Sequence, residues 1–88
     1  MDEKTVERAL VKYVKDQGGI AYKFKSPNRR SVPDRLCLFP GGKILFVECK
    51  APGKEPTKLQ GREHERLKAL GFEVLVVDNK EDADALIK

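Results

Sequence analysis

At 88 residues, with two cysteines and a net charge of +4, the chain reads as a single small domain (1–88) that can remove only about 60–65% of its unfolded surface from water, and its two thiols are too few for a disulfide scaffold or a structural zinc site. The opening MDEKTVE carries no cationic leader and no apolar run approaches membrane-spanning length, so the expectation is a soluble, cytoplasmic protein with buried free thiols and no membrane partner. Between Lys23 and Arg62 ten Lys and Arg stand against three acids, a local +7 that leaves −3 elsewhere, which points to a polyanion such as nucleic acid or, more plainly, to a solubilising surface.

In chain order, Val6, Leu10, Tyr13, Val14 and Gln17 recur at steps of three and four, predicting an amphipathic helix over Asp2 to Gln17 that Gly18-Gly19 ends. IAYKFK, Ile20 to Lys25, alternates as a half-buried strand. A polar, cationic loop, SPNRRSVP, runs from Ser26 to Pro33. Two apolar runs, Leu36 to Phe39 and Ile44 to Val47, follow as a hairpin, and APGKEP from Ala51 to Pro56 leads out of it. Leu59, Glu63, Leu67 and Leu70 mark a second helix stopped by Gly71, and FEVLVVD, Phe72 to Asp78, is a buried strand. A short acidic helix, Glu81 to Ile87, closes an α-β-β-β-α-β-α order: an α/β fold with a small mixed sheet flanked by helices. So thin a core makes pairing with a second copy a natural way to bury more surface.

The hairpin raises a chemical question. If Pro40-Gly41-Gly42 is a three-residue loop with a glycine in the left-handed position such loops require, Phe39 pairs with Lys43 and Asp34 falls opposite Glu48. Directly opposed residues have Cβ atoms about 4.5–5.5 Å apart, and alternation puts Lys50 on the same face as Glu48. A two-residue loop would shift the register by one and send the acids to opposite faces. Two carboxylates so close repel unless a cation lies between them, and an oxygen-only pair suits a hard ion such as Mg²⁺ or Mn²⁺. The Cys49 carbonyl is a further hard oxygen. The plainer reading is a surface Glu-Lys pair at a frayed strand end.

Pro33-Asp34, then Glu48-Cys49-Lys50 fourteen residues on, is similar to the PD-(D/E)xK signature of the restriction-endonuclease-like superfamily. With GKEPTKLQ (Gly53 to Gln60) and LKALGFEVLVV beyond it, the chain resembles the VRR-NUC, or virus-type replication-repair nuclease, family over about Thr5 to Val77. Members of this size are stand-alone phage or bacterial nucleases related to Holliday-junction resolvases. The resemblance implies a restriction-endonuclease-like fold and a Mg²⁺- or Mn²⁺-dependent homodimeric DNA endonuclease in replication, repair or recombination, with no small-molecule cofactor. Structure selectivity for branched or Holliday-like DNA stays open. The alternative is a non-catalytic nucleic-acid-binding module that retains the fold.

Carried over residue by residue, the resemblance makes Asp34 and Glu48 metal ligands, Lys50 the catalytic lysine and the Cys49 backbone carbonyl a further ligand. Glu7 is the additional acid of the first helix, unless it only complements the helix dipole. Gln60 joins the catalytic set, although T-x-x-Q from Thr57 is also a capping box. Asn28, Arg29, Arg30 and Ser31, next to the motif, are expected to contact DNA phosphates, with Lys54, Lys58 and Arg62 as a second bank. His64 reads as a solvated surface residue outside the catalytic set.

Overall fold

The computed structural model describes residues 2–83. The element order is α1 (Glu3–Asp16), β1 (Ile20–Lys23), β2 (Arg35–Leu38), β3 (Ile44–Cys49), α2 (Lys58–Ala69), β4 (Glu73–Val77) and α3 (Lys80–Ala83), the order expected from the sequence. Of the expected C-terminal helix, the part beyond Ala83 lies outside the described residues. None of the helices among them is long and apolar enough to cross a membrane.

Local chemistry accounts for the helix ends. Asp2 caps α1 by accepting the Thr5 N–H at 2.9 Å, a contact that satisfies one of the donors a helix start leaves unpaired. Val6, Leu10 and Val14 are fully buried on one stripe of α1. At the other end a side chain at Gly19 would strike the Leu38 carbonyl, because an ideal Cβ there lies 2.3 Å from that oxygen. The glycine lets the chain leave α1 and drop directly onto the sheet as β1.

The sheet order is β1-β2-β3-β4, with the first two pairings antiparallel and the last parallel. α2 supplies the crossover that a parallel pair requires. Pro40-Gly41-Gly42 is a three-residue loop: Gly41 and Gly42 take φ of +87° and +86°, and the Phe39 N–H donates to Lys43 O at 2.9 Å. Arg35 pairs with Val47 and Cys37 with Leu45, which is the register in which the two acids oppose each other.

Alternation then sorts the residues by face. Ala21, Cys37, Leu45, Val47, Cys49, Leu75 and Val77 pack with Val6, Ala9, Leu10, Val14 and Ala83 as the core beneath α1 and α3. Burial holds both thiols protonated, that of Cys37 pushed up to about 11 and that of Cys49 higher still. The opposite face carries three cross-sheet rows: Ile20, Leu38, Ile44 and Phe72; Tyr22, Leu36, Phe46 and Val74; Phe24, Asp34, Glu48 and Val76. Phe46 makes ring contacts with Phe24 and Phe72 at centroid separations of 5.7 and 5.6 Å.

α2 packs on β4 and leaves the β1 side of this second face open. Ile20 and Tyr22 are therefore 53% and 52% exposed, where the strand pattern predicts burial. In α2 the buried residues are Glu63 and His64, and Leu59 and Leu70 of the expected apolar stripe are exposed. The helix meets the sheet through polar side chains because a carboxylate lies beneath it.

Candidate active site

Asp34 is fixed from two sides at the mouth of β2. Its carbonyl accepts the Phe24 N–H at 2.9 Å, and its side-chain Oδ1 accepts the Cys49 N–H at 2.9 Å. Glu48, opposite it by register, is 4% exposed. Lys50, half-buried on the same side, has its backbone N–H tied to Val77 O at 2.9 Å, so β4 holds the strand end that presents it.

The proline of the motif has a specific consequence. Hydrogen-bonded pairs alternate along an antiparallel ladder, and the Phe39–Lys43 bond makes 33 and 49 one such pair. Pro33 has no N–H to give to the Cys49 carbonyl. The Cys49 N–H turns instead to the Asp34 carboxylate. Two carboxylates and one main-chain oxygen that its strand partner cannot serve thus share a corner of the sheet.

Burial dominates the electrostatics. It pushes the Glu48 carboxyl up to about 7, helped by the Asp34 charge and opposed by Lys50. The Asp34 carboxyl is also raised, by burial first, against the lowering effect of the Cys49 N–H. Both shifts have burial as their first cause, so each carboxylate holds its charge less readily here than in water.

His64 corrects the sequence expectation of a solvated residue. It is 5% exposed, and its Nε2 lies 3.3 Å from Glu48 Oε1. Burial lowers the imidazole's proton affinity, with Lys68 and Lys50 adding to the effect. With the acid pushed up and the base pushed down, burial disfavours an ion pair here and favours a hydrogen bond between neutral groups. The available signal was its place one turn beyond Gln60 on the same helix face; a lone histidine among charged residues hid it. Gln60 itself closes the capping box, its Oε1 accepting the Thr57 N–H at 2.9 Å while its own N–H donates to Thr57 Oγ1 at 3.1 Å.

Glu7 meets a partner that the sequence does not announce. Arg35, one residue past Asp34 but on the α1 side of the sheet, holds the Glu7 carboxylate with Nη2 at 2.8 Å and Nε at 3.0 Å, and Lys23 stands 3.7 Å away. Arg35 also donates to Ala21 O at 3.0 Å. Glu7 is near enough to raise the Asp34 carboxyl. Among the described residues, however, no group of three or more His, Cys, Asp or Glu side chains converges as a metal-holding set. The donor set offered here is Asp34, Glu48 and the Cys49 carbonyl, all hard oxygens and suited to Mg²⁺ or Mn²⁺.

Asn28, Arg29, Arg30 and Ser31 line one cleft together with Leu59, Arg62, Glu63 and Arg66 of α2. Arg29 Nε is paired with the buried Glu63 at 3.2 Å. Ser31, with φ +65°, is the one non-glycine in the left-handed region among the described residues, a backbone strain stored two residues before Pro33 of the motif. Lys54 and Lys58 are exposed outside this cleft.

No family model matches the chain. It is 60% identical over 79 residues, 90% of this chain and 85% of the relative, to "Putative nuclease p44" of Acyrthosiphon pisum secondary endosymbiont phage 1. Its fold matches a solved structure described as a VRR_NUC domain with a TM-score of 0.89 and 34% identity, covering 96% of this chain and 91% of the other.

Proposed function

The chain belongs to the VRR-NUC family of nucleases, and from that premise we propose that it is a divalent-metal-dependent DNA endonuclease that hydrolyses phosphodiester bonds in replication, repair or recombination. The observation that carries this reading is the opposition of Asp34 and Glu48 across the hairpin with Lys50 on the same face. Asp34, Glu48 and the Cys49 carbonyl would hold Mg²⁺ or Mn²⁺, which when bound lowers the pKa of a water and neutralises a phosphate under attack. Glu7 would join them from α1, with its Oε2 held by Arg35 and Lys23.

The protein groups have separate tasks. Lys50, a point charge on a flexible stem, orients the attacking water or offsets charge growing on the phosphate oxygens. Cys49 contributes only main-chain atoms, so its thiol is dispensable for chemistry. Gln60 sits at the start of the same helix as His64 and can release its cap to reach a phosphate oxygen. Asn28, Arg29, Arg30, Ser31 and Arg62 position the backbone, with Lys54 and Lys58 on the adjoining surface; phosphate contacts of this kind orient the duplex without reading its sequence.

The direct test is cleavage of duplex, flap and four-way-junction DNA by purified protein with Mg²⁺, Mn²⁺ or EDTA. Cutting in either metal and none in EDTA is expected, and the ranking of substrates reads out structure selectivity. Binding without cutting in any metal would instead support a non-catalytic nucleic-acid module.

We also propose that two copies pair through the open sheet face. Ile20, Tyr22, Ile44 and Phe72 are each 40% exposed or more and share that face, and contiguous apolar surface of this kind marks an interface. Light scattering at micromolar concentration is expected to report a dimer. Ile20→Glu with Tyr22→Glu is expected to halve the mass while the helical circular dichroism is retained. A cytoplasmic location is part of the same proposal, supported by two cysteines that are both free and buried, as in a compartment that keeps thiols reduced.

A further inference from the structure

Charge counting along the chain puts the basic surface between Lys23 and Arg62 and leaves the rest net acidic. The fold changes that picture. Lys4, Arg8, Lys12 and Lys15 follow one another at steps of four, four and three, so at about 100° per residue they fall within one narrow stripe of α1. The stripe lies on the side of the helix away from Val6, Leu10 and Val14. Together with Val11, Glu7 and Arg35 these four cations line a single groove.

The acids close to this stripe are already engaged. Glu7 is held by Arg35 at 2.8 Å and Lys23 at 3.7 Å, and Asp16 pairs with Lys12 at 2.6 Å. Lys4, Arg8 and Lys15 therefore dominate the groove's field. Arg35, the residue after Asp34 in the chain, lines the groove while bonded to Glu7. On another flank Lys23, Lys25, Arg29 and Arg30 line a hollow that includes Asp34 itself. Two cationic tracks thus leave the carboxylate corner, one through the 26–33 loop and one along α1.

Resting on the nuclease reading, we propose that the α1 groove is a second binding site for nucleic-acid backbone, holding the duplex on the side of the scissile phosphate away from the Arg29 and Arg30 bank. Lys4 to Lys15 spans about 16 Å of helix, matching roughly five nucleotides at about 3.4 Å of rise each. A nuclease that grips backbone on both sides of its cut site works within a strand, and needs no free end.

The test uses Lys4→Gln, Arg8→Gln, Lys15→Gln, which exchanges exposed cations for a good helix former, and compares it with Arg29→Gln, Arg30→Gln, all in a Lys50→Ala background that keeps DNA uncut. Titrations of a duplex at several salt concentrations are expected to show the slope of log K against log salt reduced by about two to three units in the α1 variant, at roughly 0.9 for each phosphate left without its cation. Shortening the duplex on one side of the mapped cleavage position should weaken the parent and leave the α1 variant indifferent. An unchanged slope in the α1 variant, beside a reduced slope in the Arg29, Arg30 variant, overturns the second site while the nuclease reading stands. A Lys50→Ala parent that does not bind nucleic acid, beside a wild type that does not cut it, overturns both.

Discussion

Lys50→Ala is expected to slow cleavage at saturating DNA by about 10²–10⁴-fold, the range that removing one proton-transferring or charge-stabilising group costs, with little change in melting temperature or, at pH 8, in metal affinity. The separation follows from geometry. The backbone of Lys50 is held by the bond from its N–H to Val77 O, which alanine keeps, and an ammonium is not a metal ligand. The residue nevertheless stands close enough to Glu48 to lower the proton affinity of that carboxyl. Its loss should therefore also push the Glu48 carboxyl further up, so the rate deficit should be larger at pH 6 than at pH 8. Single-turnover cleavage of wild type and variant at both pH values, with a thermal melt of each, measures this. Equal rates at pH 8 would remove Lys50 from the reaction.

The part of this arrangement that is legible in the sequence is the part enforced locally. Pro40-Gly41-Gly42 permits few turns, and once the turn is set, period-two alternation carries Asp34 to a position opposite Glu48 without any tertiary information. Helix and strand order follow from equally local signals at Gly18, Gly19 and Gly71. What stays hidden depends on which layer covers which face. α2 is polar nearly all round, so its pattern points to Leu59 and Leu70 while packing buries Glu63 and His64. The Glu7–Arg35 pair joins residues 28 positions apart, on an element pairing that no spacing announces. Ile20 and Tyr22 read as core from their alternation, yet the helix that would cover them lies over β4 instead. The cationic stripe on α1 is present as spacing, but its meaning depends on Arg35 arriving beside it from the sheet.

Metal affinity is expected to climb with pH up to about 7 and then level off, because the metal must displace a proton from Glu48, whose carboxyl burial has pushed up to about 7. Below that value affinity should rise up to tenfold for each pH unit. The same proton governs stability without metal. A carboxyl raised in the folded state stabilises the fold fully below its ordinary value of 4.5 and loses that contribution as pH rises through about 7, an effect of about 3 kcal/mol. His64 acts in the opposite sense: its lowered proton affinity gives stability above its ordinary 6.5 that is lost as pH falls. Glu48→Gln keeps a hydrogen-bonding partner for His64 and removes the buried charge. At pH 8 without metal it is expected to melt several degrees above wild type, while losing most metal binding and the pH dependence of what remains. Adding Mg²⁺ should raise the wild-type melting temperature and leave that of Glu48→Gln nearly unchanged. Isothermal titrations in buffers of different ionisation enthalpy, together with melts from pH 5 to 8, test the coupling. A Glu48→Gln protein that melts no higher than wild type at pH 8 would show that the corner tolerates both negative charges without a cation, and the case for a metal between Asp34 and Glu48 would lose its electrostatic basis.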